Sequence, residues 1–183
     1  MLNLQKYRAK ICLTAGGMLI LENQVLLIKH HRLQRWLCPG GHIEINELPH
    51  VTAEREFEEE TGVEVKAFDI NGLIDLKESE YLPCPIISNL HWMYKINYEA
   101  RIKHQPKVMG RLGCEQHLGF AYLMAPVAKV TRVQDLVLNP KLDEIDDIGW
   151  FSFDQVKKLQ HVHDDLIQEL KIGFGLIEQK KVD

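Results

Sequence analysis

A mixed α/β fold is what this sequence predicts, and three observations carry it. Two apolar runs, 11–21 and 25–28, flank the polar turn Glu22-Asn23-Gln24. Such an arrangement reads as a β-hairpin. A charged, periodic stretch from about Leu48 to Thr61 follows and reads as a helix. Further strand-like runs and then helical segments complete the order strands, helix, strands, helices, the pattern of an α/β chain.

The hairpin comes first. Lys6, Arg8 and Lys10 ahead of the apolar run imitate a signal peptide, but Gly16 and Gly17 interrupt it and a polar turn follows directly. The run is too short to span a bilayer, so it is read as core. The helix has an N-cap candidate in Asn46, a first-turn proline in Pro49, and in Gly62 a residue suited to the left-handed C-terminal position. Val51, Ala53 and Phe57 are assigned to its buried side. Residues 63–76 read as a strand, 90–102 alternate in part, 118–127 form a strong strand candidate and 148–153 a short one. Residues 153–159 and 164–179 read as helices, the second with Leu166, Ile167 and Leu170 on one side.

The 183 residues fit one domain, 1–183, in which residues 77–115 are the best place for an insertion. A net charge of −4 argues against general binding to DNA or to anionic membranes. Cys12, Cys38, Cys84 and Cys114 are widely spaced without a C-x-x-C pair, so a reduced, cytoplasmic chain is expected. His161 and His163 have no cysteine at zinc-site spacing.

The acidity is local. Residues 44–60 hold seven acids against Arg55 alone, a net of −6, which leaves +2 on the rest of the chain. On a helix, Glu56, Glu59 and Glu60 fall on one face, where uncompensated like charges repel by a few tenths of a kcal/mol each. Stacked carboxylates of this kind suit a hard cation such as Mg²⁺, which takes oxygen ligands and recruits phosphates. Pro39, Gly40 and Gly41 form a tight loop ahead of the helix that lets backbone approach a ligand.

Gly41, Glu47, Arg55, Glu56, Phe57, Glu59, Glu60, Gly62 and Val63 together match G-x5-E-x7-R-E-U-x-E-E-x-G-U, with U apolar. The chain thereby resembles the Nudix hydrolases over about residues 10–160. That resemblance implies an α/β/α sandwich around a mixed sheet with C-terminal helices. It further implies hydrolysis of a phosphoanhydride in a nucleoside diphosphate-linked compound, such as a nucleoside triphosphate, nucleotide sugar or dinucleoside polyphosphate, with Mg²⁺ or Mn²⁺.

Carried over by position, Glu56 and Glu60 are the prime metal ligands, Glu59 a further ligand or water contact, and the Gly40 carbonyl a ligand in some members. Arg55 orients carboxylates, with Glu47 and Glu59 in reach. The general base is Glu144, from the acidic segment Asp143–Asp147, or a box glutamate, Glu56 or Glu59. The expected partner is a small nucleotide or diphosphate, with room for a homodimer. Substrate signatures are missing: Glu78 stands where many ADP-ribose hydrolases carry proline, and Tyr81 matches the tyrosine of dinucleoside-polyphosphate hydrolases only loosely.

Outside the box, His30, His31, Arg32 and Arg35 are near enough in sequence to contact phosphates. Lys95, Arg101, Lys103, Lys107 and Arg111 form the one basic stretch, and Glu115–Phe120 opens a strand that could line a pocket. Trp92, Tyr94 and Tyr122 are candidates for stacking on a base. Two other functions fit the same fold, a nucleotide-binding sensor without catalysis and an RNA-end pyrophosphohydrolase. The first generally lacks box glutamates that this chain keeps; the second requires more basic surface.

Overall fold

A computed structural model describes residues 8–72, 76–106, 108, 113–141 and 143–180. Eight strands among these residues form one mixed sheet: β1 Ile11–Leu21, β2 Gln24–His30, β3 Arg35–Leu37, β4 Gly40–His42, β5 Val65–Ala67, β6 Ile87–Trp92, β7 Gln116–Pro126 and β8 Ile145–Ser152. Four α-helices accompany them: α1 Pro49–Thr61, α2 Lys95–Ile102, α3 Phe153–Val156 and α4 Asp164–Lys180.

The long strand β1 organises the sheet. It runs parallel to β7 from Ile11 to Leu19, pairs antiparallel with β4 through Thr14, Ala15 and Gly16, and turns into β2 at its end. β2 in turn holds β3 and β8, while β7 holds β5 and β6. The hairpin turn puts Glu22 and Asn23 at positive φ, as a tight two-residue connection requires.

Alternation along β1 sorts the core into two layers. Ala15 and Leu19 face α1, where Ala53 and Phe57 pack with Tyr122 and Met124. Met18 and Ile20 face α4, where Leu166 and Leu170 pack with Leu123 and Val156 of α3. Helices on both faces of a mixed sheet give the expected sandwich. Full burial of the Phe57 ring contributes roughly 1.5–3 kcal/mol.

Helix α1 departs from expectation at its start. Asn46 lies outside at φ 66°, and Leu48 takes the N-cap position with no side-chain cap. Pro49 opens the helix, and the Thr52 hydroxyl donates to Glu47 at 2.6 Å. Val51 is solvent-exposed, because Ala53 and Phe57 already define the inward stripe and it falls off that line. Gly62 ends the helix at φ 74°, its N–H donating to the Glu58 carbonyl.

Two strand expectations are shortened. The run 63–76 contributes only β5, since Asp69 turns the chain by accepting the Asn71 N–H; residues 73–75 lie outside the described residues. The run 90–102 splits into the end of β6 and helix α2, so the segment 77–115 supplies both a sheet strand and a helix. No helix among the described residues is long and apolar enough to cross a membrane.

Candidate active site

The carboxylates of α1 meet the glycine loop where β1 and β4 pair. Gly40 lies so close to β1 that a Cβ there would stand 2.6 Å from the Ala15 carbonyl oxygen. A Cβ on Gly41 would stand 2.3 Å from the Glu56 carboxylate. Glycine at both positions therefore admits the Glu56 carboxylate against the backbone of β4. From the next turn of α1, Glu60 accepts the Gly40 N–H at 2.9 Å and is 3% exposed.

Arg55 is already committed. It binds Glu47 through two nitrogens at 2.8 and 3.0 Å, donates to Glu56 at 2.9 Å, and stands 3.7 Å from Glu59. Its remaining reach is to the His42 carbonyl at 3.4 Å. Fork-to-carboxylate pairing of this kind fixes geometry as well as charge. The Arg55 bonds, with help from Thr52, hold Glu47 well below the usual range, at about 2. Burial pushes Glu60 the other way, to about 8, against the single stabilising bond from Gly40. Glu56 is also raised by burial, with Arg55 opposing.

The three box glutamates share a helix face, yet their oxygens are not gathered around one point. Glu56 turns to Arg55, Glu60 to the Gly40 amide, and Glu59 to Arg55 and to Lys141 at 3.2 Å. Each carboxylate thus meets a different set of donors, which keeps the like charges apart. Glu144 lies within electrostatic reach of both Glu56 and Glu60, raising the two together. Its loop is pinned by the His31 N–H, which donates to the Glu144 carbonyl at 2.9 Å. Glu47, Arg55, Glu56, Glu59, Glu60 and the glycine loop are thus linked by direct contacts, with Glu144 in electrostatic reach, whereas Phe57 and Val63 belong to the core and Gly62 to the helix end.

As a donor set the rim suits a hard cation. It offers two buried or half-buried carboxylates at a backbone cradle that a Cβ would fill, with the nearby guanidinium neutralised by Glu47. Behind Gly40 and Gly41 opens a cleft of about 660 Å³, a volume suited to a nucleotide-sized ligand. His30, Arg32, Asn89, His91, Phe120 and Glu169 are among its walls. The Asn89 amide donates to Glu169, the one carboxylate among the described residues of the lining.

The other expected contacts divide. His30 and Arg32 line the cleft, whereas His31 pairs with Asp146 at 2.5 Å and Arg35 contacts His163. His117, Gly119 and Phe120 line it too, while Glu115 is buried and bound by Arg101 at 2.5 Å. Tyr94 reaches the cleft; Tyr122 is core, and Trp92 stacks at a tilt on Tyr98. Tyr81 donates to Asp69 at 3.0 Å. Lys107 and Arg111 of the basic stretch lie outside the described residues.

Sequence spacing gave no sign of the sulfur chemistry on the cleft floor. Cys12 and Cys114 form a disulfide with a Cα–Cα distance of 5.9 Å, which corrects the expectation of a fully reduced chain. Cys38 and Cys84 are free. Around the pair stand three imidazoles. Burial lowers His42 and His91, and together with those two neighbours it takes His117 to about 4. The signal that could have found the pair is the parallel register of β1 and β7, which sequence alone does not contain.

Fold and rim together define an α/β sandwich whose helix brings carboxylates to a glycine loop beside a ligand-sized cleft. The chain belongs to the NUDIX family: the NUDIX domain model matches residues 11–170. A NUDIX-family hydrolase from Clostridium perfringens superposes with a TM-score of 0.65 at 22% identity, covering 90% of this chain and 97% of that one. A NUDIX hydrolase from Nitrosomonas europaea gives 0.59 at 16%, covering 91% and 90%. At these identities the likeness is one of fold. A "Probable DHNTP pyrophosphohydrolase" from Lactococcus lactis subsp. cremoris is 37% identical over 79 residues, which is 41% of this chain and 47% of that protein. The match thus spans about half the length of that relative.

Proposed function

We propose that this protein hydrolyses a phosphoanhydride bond in a nucleoside diphosphate-linked or similar diphosphate compound, with Mg²⁺ or Mn²⁺ held by Glu56 and Glu60. Glu59 would add a ligand or water contact, and the Gly40 carbonyl would be a further ligand to the cation. The observation that carries this reading is Glu60: a carboxylate 3% exposed whose hydrogen-bond partner among the described residues is one backbone N–H, that of Gly40. Burying a charge so weakly compensated is costly, and a divalent cation relieves that cost. A bound cation would neutralise phosphoryl charge and acidify water.

The chain's own residues do the rest. Arg55, fixed by Glu47, holds Glu56 against Gly41 and competes with the cation for little else. Glu144 takes the proton of the attacking water, acting from the loop whose carbonyl His31 pins. Glu59 is the alternative base, and its contacts with Lys141 and Arg55 make it the less free of the two. The cleft behind Gly40 and Gly41 receives the remainder of the substrate, with Arg32 and His30 near its phosphates and Asn89 and Glu169 reading its polar edge. The Lactococcus relative's name supports pyrophosphohydrolysis and puts DHNTP on the panel beside nucleoside triphosphates, nucleotide sugars and dinucleoside polyphosphates.

Incubation with that panel and Mg²⁺ in ¹⁸O-water tests the reading. Label in a phosphorylated fragment released by anhydride cleavage is expected. Label confined to orthophosphate from a monoester, or no turnover of any compound, rejects it; the second result would favour a binding-only sensor.

A further inference from the structure

Separate from the box glutamates, side chains of metal-ligating type cluster at the cleft, whose lining includes His42, Cys114 and His117. Cys12 and Thr14 lie on the same face of β1, since alternate residues of a strand do. Register sets Cys12 beside His117 of β7, and Thr14 beside His42 of β4. Neighbours in register point the same way, so Cys12, His42 and His117 converge, and Cys114 joins them from just ahead of β7. The ligating atoms of Cys12, His42 and Cys114 all lie within 4.8 Å of one another, a spacing that no other His, Cys, Asp or Glu trio among the described residues attains.

Two further observations point to a ligand. His42 Nε2 is 3.3 Å from Cys114 Sγ. The His117 ring stands edge-on to His42 with centroids 4.9 Å apart, and its Nε2 is buried with no hydrogen-bond partner among the described residues. Buried polar atoms are nearly always satisfied, so a His117 nitrogen left unanswered next to His42 points to a ligand beyond the described side chains. In a tetrahedral zinc site, with Zn–S about 2.3 Å and Zn–N about 2.0–2.1 Å, neighbouring ligand atoms stand roughly 3.3–3.8 Å apart. The His42 Nε2–Cys114 Sγ distance of 3.3 Å is already close to that spacing.

We propose that the reduced Cys12–Cys114 pair, with His42 and His117, is a Zn²⁺ site that ties β1, β4 and β7 together beneath the box loop. The disulfide and the metal exclude each other, because only free thiolates ligate. A dithiol reductant supplies two electrons and two protons, breaking the S–S bond to give two thiols while its own two sulfurs join. Zn²⁺ then displaces the two thiol protons and keeps its oxidation state. Soft thiolate and imidazole donors separate this ion from the hard cation of the carboxylate rim. His42 also links the two centres through the backbone, its carbonyl accepting from Arg55 at 3.4 Å.

Cobalt reports the site without relying on activity. The full chain is reduced with a phosphine, Mg²⁺ is kept in excess to occupy the carboxylates, and Co²⁺ is added. One equivalent should produce sulfur-to-cobalt charge-transfer absorption in the near ultraviolet and the intense visible bands of a tetrahedral ion, and Zn²⁺ should bleach both. Protein oxidised to the disulfide, with Cys38 and Cys84 as its titratable thiols, should give neither; this comparison needs no variant. Cys12→Ser and Cys114→Ser should lose the bands, and Cys84→Ser should keep them. Reduced wild type without a near-ultraviolet band, or bands that survive Cys114→Ser, would overturn the assignment.

Discussion

Glu47 and Glu60 bracket the same helix, and the fold treats them in opposite ways. Glu47 accepts Nε and Nη2 of Arg55 and the Thr52 hydroxyl, and is held at about 2. Glu60 is more deeply buried, accepts one backbone N–H, and is pushed up to about 8. Both are specified positions of the box. The contrast separates a carboxylate whose charge is answered within the chain from one whose charge is not. The first holds the loop in place; the second is a carboxyl whose charged form burial destabilises, as the proposed cation-binding role requires.

Removing the unanswered charge should have the largest effect on function. Glu60→Gln is expected to lower kcat/KM on the order of 10³-fold at saturating Mg²⁺, the scale of several kcal/mol of lost charge stabilisation. Steady-state kinetics across a metal titration measures this, and wild-type rates at high Mg²⁺ would dissolve the contrast. A smaller loss sharpens the picture at the water. Glu144→Gln should lower kcat by about 10²-fold, the lower end of general-base loss, while Mg²⁺ affinity stays unchanged by calorimetry. An equal fall in affinity would make Glu144 a ligand.

Removing the answered charge should act on the fold. Glu47→Gln is expected to cost roughly 1–3 kcal/mol in urea unfolding, because Arg55 loses its principal partner in a partly buried setting. Activity should fall less than in Glu60→Gln. A stability equal to wild type would show that Glu56 and Glu59 suffice to hold Arg55.

The sequence made the helix, its glycine end and the converging glutamates readable, because their spacing is local and periodic. Ala53 and Phe57 were legible as the inward stripe for the same reason. The N-cap was not: Asn46 suits a cap by type, but Pro49 begins the helix and Glu47 with Thr52 organises the entry. Val51 was misplaced because an apolar side chain beside the stripe looks like part of it. The break between β6 and α2 has no periodic signal. Least readable was the sulfur pair, since Cys12 and Cys114 are 102 residues apart and meet only through the register of β1 with β7.

The two glutamates also predict opposite responses to pH. Glu47, with its folded value lowered from 4.5 to about 2, contributes stability that is complete above about pH 4.5 and is lost as pH falls toward 2. Glu60, raised from 4.5 to about 8, favours the folded metal-free protein below about pH 4.5, and that contribution is lost as pH rises through 8. The most direct measurement is therefore the unfolding free energy of wild type and Glu60→Gln from pH 5 to 9, with and without Mg²⁺. Without metal, wild type should lose stability with rising pH relative to the variant, at a slope of at most about 1.4 kcal/mol per pH unit. Mg²⁺ should restore wild type most at the alkaline end and help the variant little. Parallel pH profiles, with equal gains from Mg²⁺ in both proteins, would contradict the claim that Glu60 is held ready for a cation.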